Sequence, residues 1–502
     1  MQNFLRAIVP TPPDRRFERA LALQQAGAAE AAQAMLRNLL ALEPEHARAP
    51  LLLATVLRDQ GRIEAAVDIA ERAHAATTDP ERRTCYQQFV TDCRRQHRAL
   101  RLCEKQLADA PNDANLLARA GMLAAECGQF DRARAYFLGA LDAGVDLDVY
   151  AVQLGLAHAQ RYTDTFHADF ALLRRLLRTH RSAHTRTATL FAFGKACDDV
   201  GDRAAAASAF RQANRLQRVR RGWSAAAWQQ RVDTTLADTR ALPCLSAQDA
   251  AVPVFIVGMP RSGTTLLAEL LGRHPAIRNR GEPALLDVIA RRLDQAGLRQ
   301  DLPALREASA LYLAHMRQDD APARCYIDKN PLNFRHLGLV AQLLPNARIL
   351  HCVRDLRDTA LSLWMQTFAH ADYGFASDFA DIAVFADGQR RLMAHAARAT
   401  KLPVLRVDYE MLIDAPLREL RRVLDFVGLP PLDLPSRAVP GDTAISSASR
   451  WQARQPLYRR AVGRWRDYAD LVPELGAMHE SRAHAPGAAD SSACRRGASN
   501  AP

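Results

Sequence analysis

The residues best placed to do chemistry lie in a glycine-bounded loop, GMPRSGTT, at residues 258–265. It follows a short apolar run, VFIVG, typical of a buried strand, and precedes a leucine-rich stretch with helical spacing. Backbone N–H groups of such a turn, and the helix N-terminus after it, favour a bound anion. The spacing approaches the template G-x-x-x-x-G-K-[ST], but Thr264 stands where the template has lysine, and Arg261 lies inside the loop. The loop therefore predicts a phosphate-type site without the usual lysine.

Three further groups of polar residues follow other short apolar runs. Lys329, in DKNP, could place a cation over the loop, or could be an exposed residue before a proline turn. Arg354, in CVRDLRDTALS, lies at a strand end, and Ser362 lies about two turns into the next helix. Tyr409, in VDYE, could lie against a nucleotide base. Each of these strand ends thus carries a candidate cationic, hydroxyl or aromatic side chain for a ligand-binding site.

The elements that would position these residues are short strands alternating with helices. This alternation predicts parallel β-α-β units in a sheet that is covered on both faces. Ligands of such sheets bind beyond the carboxyl ends of the strands, which is where all four groups lie. The candidate strands are 254–258, 324–328, 347–353 and 404–409, and helical patterns cover 333–343, 355–368, 378–398 and 415–428.

The N-terminal half, from about residue 17 to 217, reads as helices in a repeating pattern. Gly27 and Gly61 lie 34 residues apart, and Gly128 follows 67 residues after Gly61, which leaves room for an intermediate unit whose turn has lost its glycine. An alanine five residues past the glycine would let paired helices approach closely, at Ala32, Ala66, Ala133 and Ala206. The pattern resembles the tetratricopeptide repeat, which implies a solenoid with a concave surface for a partner protein or peptide. An irregular helical bundle is the alternative.

Composition and charge exclude several classes of protein. The 502 residues carry a formal net charge of +12, but aromatics make up only 6% and the basic residues are scattered arginines, so nucleic-acid binding is not expected. The nine cysteines show no metal-ligand spacing, and we expect no metal. No apolar run approaches the roughly 18 residues that span a bilayer, and the first residues lack an apolar signal region. We therefore expect a cytoplasmic protein without a membrane segment.

The four polar groups, in this order, resemble the sulfotransferase family over roughly residues 250–470. The resemblance implies that the loop binds the 5′-phosphosulfate of 3′-phosphoadenosine 5′-phosphosulfate, and that the later Arg–Ser element binds its 3′-phosphate. The loop arginine and HPAIRNRGEP look most like the tyrosylprotein sulfotransferase branch, and the fusion to repeats resembles bacterial tetratricopeptide–sulfotransferase proteins. The implied fold is an α-helical repeat solenoid (17–217) followed by a P-loop-like α/β domain with a central parallel sheet (250–470). The low-complexity end, 482–502, is predicted to be disordered.

The resemblance also implies roles for individual residues. Glu282 is the candidate base, assisted by Arg261 and Lys329 at the transferring group. In the tyrosylprotein branch a second glutamate usually serves as the base, but this chain has Pro283 at that position, and His274 is the alternative base. The residues expected to bind the cosubstrate are Arg261, Ser262, Gly263, Thr264, Thr265, Arg354, Ser362, Tyr409, Ser449 and Arg464.

Two functions follow from this pattern. The first is a metal-independent sulfotransferase that acts on a hydroxyl of a peptide, a carbohydrate or a small molecule, with the repeats presenting the acceptor or a partner. The second is an interaction scaffold whose sulfotransferase-like domain binds nucleotide without turnover, which Pro283 would favour. An ordinary nucleoside triphosphatase or kinase is disfavoured, because the loop lacks its lysine and no aspartate stands convincingly where Mg²⁺ would need one.

Overall fold

The computed structural model describes residues 15–238, 242–246, 251–368, 371–431 and 459–478. The predicted tail at 482–502 and the candidate residue Ser449 lie outside these ranges. Of the helices within the ranges, none combines the length and apolarity needed to cross a bilayer. The N-terminal helices are α1 (Arg15–Gln25), α2 (Ala29–Leu42), α3 (Ala49–Asp59), α4 (Ile63–Ala76), α5 (Pro80–Asp92), α6 (Gln96–Asp109), α7 (Ala114–Glu126), α8 (Phe130–Asp142), α9 (Val152–His158), α10 (Ala168–Thr179), α11 (Ala183–Asp199), α12 (Arg203–Arg221) and α13 (Ala225–Ala237).

Short turns join consecutive helices of this N-terminal part, and small residues let the helices approach. Gly27, Gly61 and Gly128 adopt left-handed φ values of 81°, 77° and 81°, which allow one helix to end and the next to begin within a few residues. The alanines five residues beyond the turn glycines are fully buried, at Ala32, Ala66, Ala133 and Ala206. The predicted helical repeat architecture is confirmed.

A parallel five-stranded sheet follows, with the strand order β2-β3-β1-β4-β5. All four predicted strands are present, and β2 is an additional short one. The strands are β1 (Val252–Gly258), β2 (Ile277–Asn279), β3 (Cys325–Asp328), β4 (Arg348–Val353) and β5 (Val404–Asp408). The helices of this part are α14 (Thr264–Leu271), α15 (Leu285–Gln295), α16 (Leu302–Arg317), α17 (Leu337–Leu343), α18 (Leu356–Trp364), α19 (Phe379–Ala399), α20 (Tyr409–Asp414) and α21 (Pro416–Phe426).

The carboxyl ends of these strands meet at one edge of the sheet. β1 lies in the centre, and its last residue, Gly258, pairs with Cys352 of β4. The loop after β1 therefore begins between the ends of β3 and β4. Three of the predicted site residues come directly after strands that end at this edge: Lys329, Arg354 and Tyr409.

The last repeat helices, α10 to α13, share a hydrophobic core with the sheet domain, whereas the earlier repeat helices have a core of their own. Trp228 in α13, a helix between the two predicted units, stacks on Phe385 of α19 with ring centroids 4.6 Å apart. Phe210 of α12 meets the ring of Trp364 in α18 at 5.8 Å. Asn214 of α12 donates a hydrogen bond to the Trp364 carbonyl at 2.7 Å. Buried contacts thus join the two halves of the chain in addition to the connecting segment.

We expect Trp228→Ala to destabilise the whole chain. Its indole is almost completely buried between the two halves, and truncating a buried tryptophan typically costs about 3–5 kcal/mol. Urea denaturation followed by circular dichroism would measure this loss in the free energy of unfolding. Phe166→Ala is the matched control, because the Phe166 ring is 94% exposed and its loss should cost less than about 0.5 kcal/mol. Equal effects of the two substitutions would show that the shared core does not stabilise the fold.

Candidate active site

Two glycines allow the loop after β1 to lie against its neighbours. Gly258 has a φ of 152°, and a Cβ there would lie 2.3 Å from the Cys352 carbonyl oxygen on β4. Gly263 has a φ of 97°, and a Cβ there would lie 2.5 Å from the ring of Tyr409. Both positions therefore require glycine for conformational and steric reasons. The loop is held tightly to the ends of β4 and β5, and α14 begins directly after it.

Arg261 connects this loop to the element that follows β4. Its own φ is 73°, a left-handed value that costs a residue with a side chain about 1–2 kcal/mol. Its Nε donates to the Ser362 hydroxyl at 2.9 Å, and its carbonyl accepts from Arg354 Nη1 at 3.0 Å. Arg261 of the loop therefore contacts both Arg354 and Ser362, which the sequence placed in a separate group.

Arg354 is fixed from several directions. Its guanidinium lies 4.7 Å from the centre of the Tyr409 ring, a cation–π distance, and its Nη2 donates to the Ala461 carbonyl at 2.5 Å. Tyr409 thus packs between Gly263 of the loop and this arginine. The Arg354 Nε and the Ser262 hydroxyl are both buried without a hydrogen-bond partner in the described part of the chain. Buried polar atoms without partners are rare, which makes each of these two a candidate donor to a bound anion.

Lys329 brings a second cation to the start of α14. Its side chain is almost completely buried, and its Nζ lies 3.3 Å from the Thr265 hydroxyl and forms an ion pair with the Glu282 carboxylate. The Glu282 side chain is 32% exposed, so the pair has one buried and one accessible member. The backbone N–H of Lys329 also donates to the Gly281 carbonyl at 2.7 Å, which extends the pairing of β2 with β3 to this point.

Cationic side chains surround the glycine-bounded turn after β1, and comparison with known proteins shows which families parts of the chain match. Residues 253–433 match the sulfotransferase family, and residues 23–84 match the tetratricopeptide repeat. The chain carries a sulfotransferase-family domain behind tetratricopeptide repeats. The predicted resemblance is thereby confirmed.

Individual relatives cover this chain in part. An uncharacterized protein of Aquifex aeolicus is 31% identical over 245 residues, which are 45% of this chain and 32% of that protein. The protein-tyrosine sulfotransferase of Drosophila melanogaster is 26% identical over 255 residues, which are 45% of this chain and 51% of the other. The chain thus spans about a third to a half of the length of these relatives. The sulfotransferase domain of a Synechococcus olefin synthase aligns with 47% of this chain at 19% identity and a TM-score of 0.34.

Two of the predicted site residues of the sulfotransferase domain have other partners. Arg464 forms an ion pair with Asp198 of the repeat helix α11. His274 is buried at the end of α14, and its Nδ1 accepts a hydrogen bond from the Ala276 N–H at 3.1 Å. That nitrogen is therefore already engaged and would have to lose this bond to accept a substrate proton. Among the described residues, no group of three or more His, Cys, Asp or Glu side chains is arranged to hold a metal ion.

Sequence reasoning missed the acidic side chain behind the pocket. Asp328 ends β3, is fully buried, and accepts hydrogen bonds from the Tyr312 hydroxyl at 2.7 Å and the Asn330 N–H at 3.1 Å. Burial raises the pKa of Asp328 to about 7, although these hydrogen bonds oppose the rise. The alternation of a strand turns Asp328 into the core and Lys329 toward the loop, and the apolar pattern of β3 gave no sign of a buried carboxyl.

The raised pKa of Asp328 predicts how the stability of the fold depends on pH. Between about pH 4 and pH 7 the folded protein holds a proton that the unfolded chain releases, so the free energy of unfolding should fall as the pH rises. The slope from this one group is at most about 1.4 kcal/mol per pH unit. Asp328→Asn should lose this slope, because the amide does not titrate. Denaturation at several pH values would test it, and parallel curves for the two proteins would contradict the assignment.

Proposed function

We propose that the protein transfers a sulfuryl group from 3′-phosphoadenosine 5′-phosphosulfate to a hydroxyl acceptor, for which a protein tyrosine is one candidate. The observation that carries this proposal is the direct contact of Arg261 with Ser362 and Arg354. This contact places the loop, which we propose binds one anionic group, beside the Arg354 guanidinium. The proposed cosubstrate has one anionic group on its 5′ side and another on its ribose, so it requires two such cationic positions close together. The sulfotransferase-family domain and the relatives named for tyrosine sulfation agree with this reading.

The charge of the pocket fits a phosphosulfate better than a nucleoside triphosphate. A triphosphate concentrates several negative charges, which P-loop enzymes neutralise with the loop lysine and Mg²⁺. A sulfuryl group that is being transferred carries less charge, so the loop amides, Arg261 and Lys329 suffice without a metal. The partnerless Ser262 hydroxyl and Arg354 Nε are the atoms that we expect to bind the cosubstrate directly. The remaining proposed contacts are Gly263, Thr264, Thr265, Ser362, Tyr409, Ser449 and Arg464.

The pair of Glu282 and Lys329 supplies the two groups that the reaction needs. A hydroxyl acceptor must lose its proton to a base, and the departing phosphate oxygen gains negative charge as its bond to sulfur breaks. Glu282 is partly exposed and can reach an acceptor, whereas Lys329 is buried beside the start of α14, where the loop would hold the leaving group. Pro283 does not prevent this contact, which favours the enzyme over the inactive scaffold. We further propose that the repeats present the acceptor or bind a partner protein.

The first test concerns the choice of nucleotide. The protein should bind adenosine 3′,5′-bisphosphate without Mg²⁺ at least tenfold more tightly than it binds Mg-ATP, and isothermal titration calorimetry would measure both. Arg354→Ala should weaken binding of the bisphosphate by about ten- to a hundredfold, the usual cost of a charge-assisted hydrogen bond. Binding of Mg-ATP that is as tight as that of the bisphosphate would contradict the proposed cosubstrate.

The second test separates the base from the binding residues. Glu282→Gln keeps the shape and the contact with Lys329 but removes the base, so kcat should fall by about 10²–10⁴-fold while the Kd for adenosine 3′,5′-bisphosphate changes little. A phenol acceptor of lower pKa should recover part of the loss, because it gives up its proton more easily. If His274→Asn is inactive while Glu282→Gln remains active, His274 and not Glu282 is the base. Tight nucleotide binding by a wild-type protein that sulfates no hydroxyl acceptor would support the scaffold instead.

A further inference from the structure

One turn of the repeat array departs from the others. Arg94 lies 33 residues after Gly61 and 34 residues before Gly128, at the position where those turns have glycine. It adopts the same left-handed conformation, with a φ of 60° against 77° and 81°, and its N–H closes the turn on the Thr91 carbonyl at 2.8 Å. Glycine adopts this conformation without strain, whereas a residue with a Cβ does not. The turn is thus less stable with arginine than it would be with glycine.

The side chain that takes the place of glycine reaches the sulfotransferase domain. Arg94 Nη1 donates to the Glu282 carbonyl at 3.3 Å. The guanidinium also lies directly against Gly281, because a Cβ on that glycine would be only 2.3 Å from Arg94 Nη2. The Gly281 carbonyl in turn accepts from the Lys329 N–H at 2.7 Å. Arg94 therefore contacts both backbone positions that aim the proposed base at its cationic partner.

The surface around this contact is held firmly, so Arg94 acts from a fixed position. The carboxylate of Asp319, which follows α16, accepts hydrogen bonds from the N–H groups of Glu64 and Ala65 in the first turn of α4, at 2.6 Å and 3.0 Å. Arg95 bridges Glu64 of α4 and Gln318, at 2.6 Å and 2.7 Å. The neighbouring turn glycine, Gly61, approaches so closely that a Cβ there would lie 2.4 Å from a carbonyl oxygen of α16. Two successive repeat turns thus dock on the sheet domain beside β2.

The segment that carries Glu282 needs an external restraint of this kind. β2 is only three residues long, and the residue after Glu282 is Pro283, which has no N–H to donate. Gly281, with a φ of 69°, adds a flexible link directly before the glutamate. The Gly281 carbonyl accepts from the Lys329 N–H, and the Glu282 carbonyl accepts from Arg94 Nη1.

We propose that Arg94 is a positioning residue for Glu282, so that the repeat array completes the active site of the sulfotransferase domain. It acts by fixing the Gly281–Glu282 backbone, through its contacts with Gly281 and with the Glu282 carbonyl. The proposal rests on the proposed function in one respect, namely that Glu282 is the base. Its structural part, the restraint of residues 279–284, is measurable without any activity.

Arg94→Gly is the informative substitution, because it restores the residue that the turn prefers. We expect the melting temperature to stay equal or rise, and the Kd for adenosine 3′,5′-bisphosphate to stay within about twofold of wild type. With a small phenol acceptor, which needs no docking on the repeats, kcat should fall by about 10- to 100-fold, the effect of a small displacement of a catalytic group. Hydrogen exchange of residues 279–284 should become faster. Arg94→Lys should recover part of kcat, and Arg101→Ala, an exposed arginine of α6, is the control for lost charge.

The outcomes separate this proposal from the function on which it rests. If the wild-type protein is active and Arg94→Gly keeps its kcat, Arg94 does not position the base. A fall in kcat that comes with weaker nucleotide binding and a lower melting temperature would show general disruption, and would also overturn the proposal. If the wild-type protein sulfates no acceptor, the proposed function fails, and faster exchange at 279–284 in Arg94→Gly still establishes the restraint. Unchanged exchange in that case overturns the restraint as well.

Discussion

The buried ammonium of Lys329 is the constraint on which the rest of the site depends. Removing a charge from water costs several kcal/mol unless a partner and hydrogen bonds compensate for it. Here the partners are Glu282 and the Thr265 hydroxyl, so one buried cation fixes the relation between β2, β3 and the start of α14. Asp328, its neighbour in sequence, faces the core instead, where it accepts hydrogen bonds from the Tyr312 hydroxyl and the Asn330 N–H.

The repeats contribute to this arrangement through contacts that a flexible appendage would lack. Their last helices share the hydrophobic core of the sheet domain, and Asp198 of α11 accepts from the Tyr468 hydroxyl at 2.6 Å and pairs with Arg464. The segment that these residues hold also passes the proposed second anion site, because its Ala461 carbonyl accepts from Arg354. The helical array thus supports both ends of the proposed cosubstrate pocket, the base side through Arg94 and the arginine side through Asp198.

The sequence predicted the strands and the residues at their ends because both follow from local rules. Apolar runs of four to seven residues mark buried strands, and the parallel arrangement brings Lys329, Arg354 and the loop to one edge of the sheet. The sequence indicated a strand end before Glu282 but did not delimit β2, since three residues are too few to show a period. The burial of Asp358 was not predicted either. This residue is buried and accepts from the N–H groups of Gly463 and Trp465, which lie about 100 residues away in sequence.

Arg94 shows a different limit of sequence reasoning. The repeat period revealed that one turn had lost its glycine, but the loss alone is consistent with simple divergence of the repeat. Only the contact of Arg94 with Gly281 and Glu282 gives a physical reason for arginine at this turn position. Arginine at a turn position that favours glycine costs backbone strain, and a contact elsewhere can offset this cost. The sequence shows the missing glycine but not the compensating contact. Arg94 shares its left-handed backbone conformation with Arg261 of the loop, and neither conformation is visible in the sequence.

The absence of the loop lysine also follows from the position of Lys329. Thr264, at the lysine position of the template, is buried at the first residue of α14. The next residue, Thr265, already contacts the Lys329 ammonium through its hydroxyl. A lysine at 264 would bring a second ammonium group into the same low-dielectric corner, where like charges repel strongly. The cation comes from β3 instead, on the side where Glu282 can pair with it. One strand end therefore supplies the charge for binding and the partner for the proposed base, and the loop itself needs only hydroxyls, amides and Arg261.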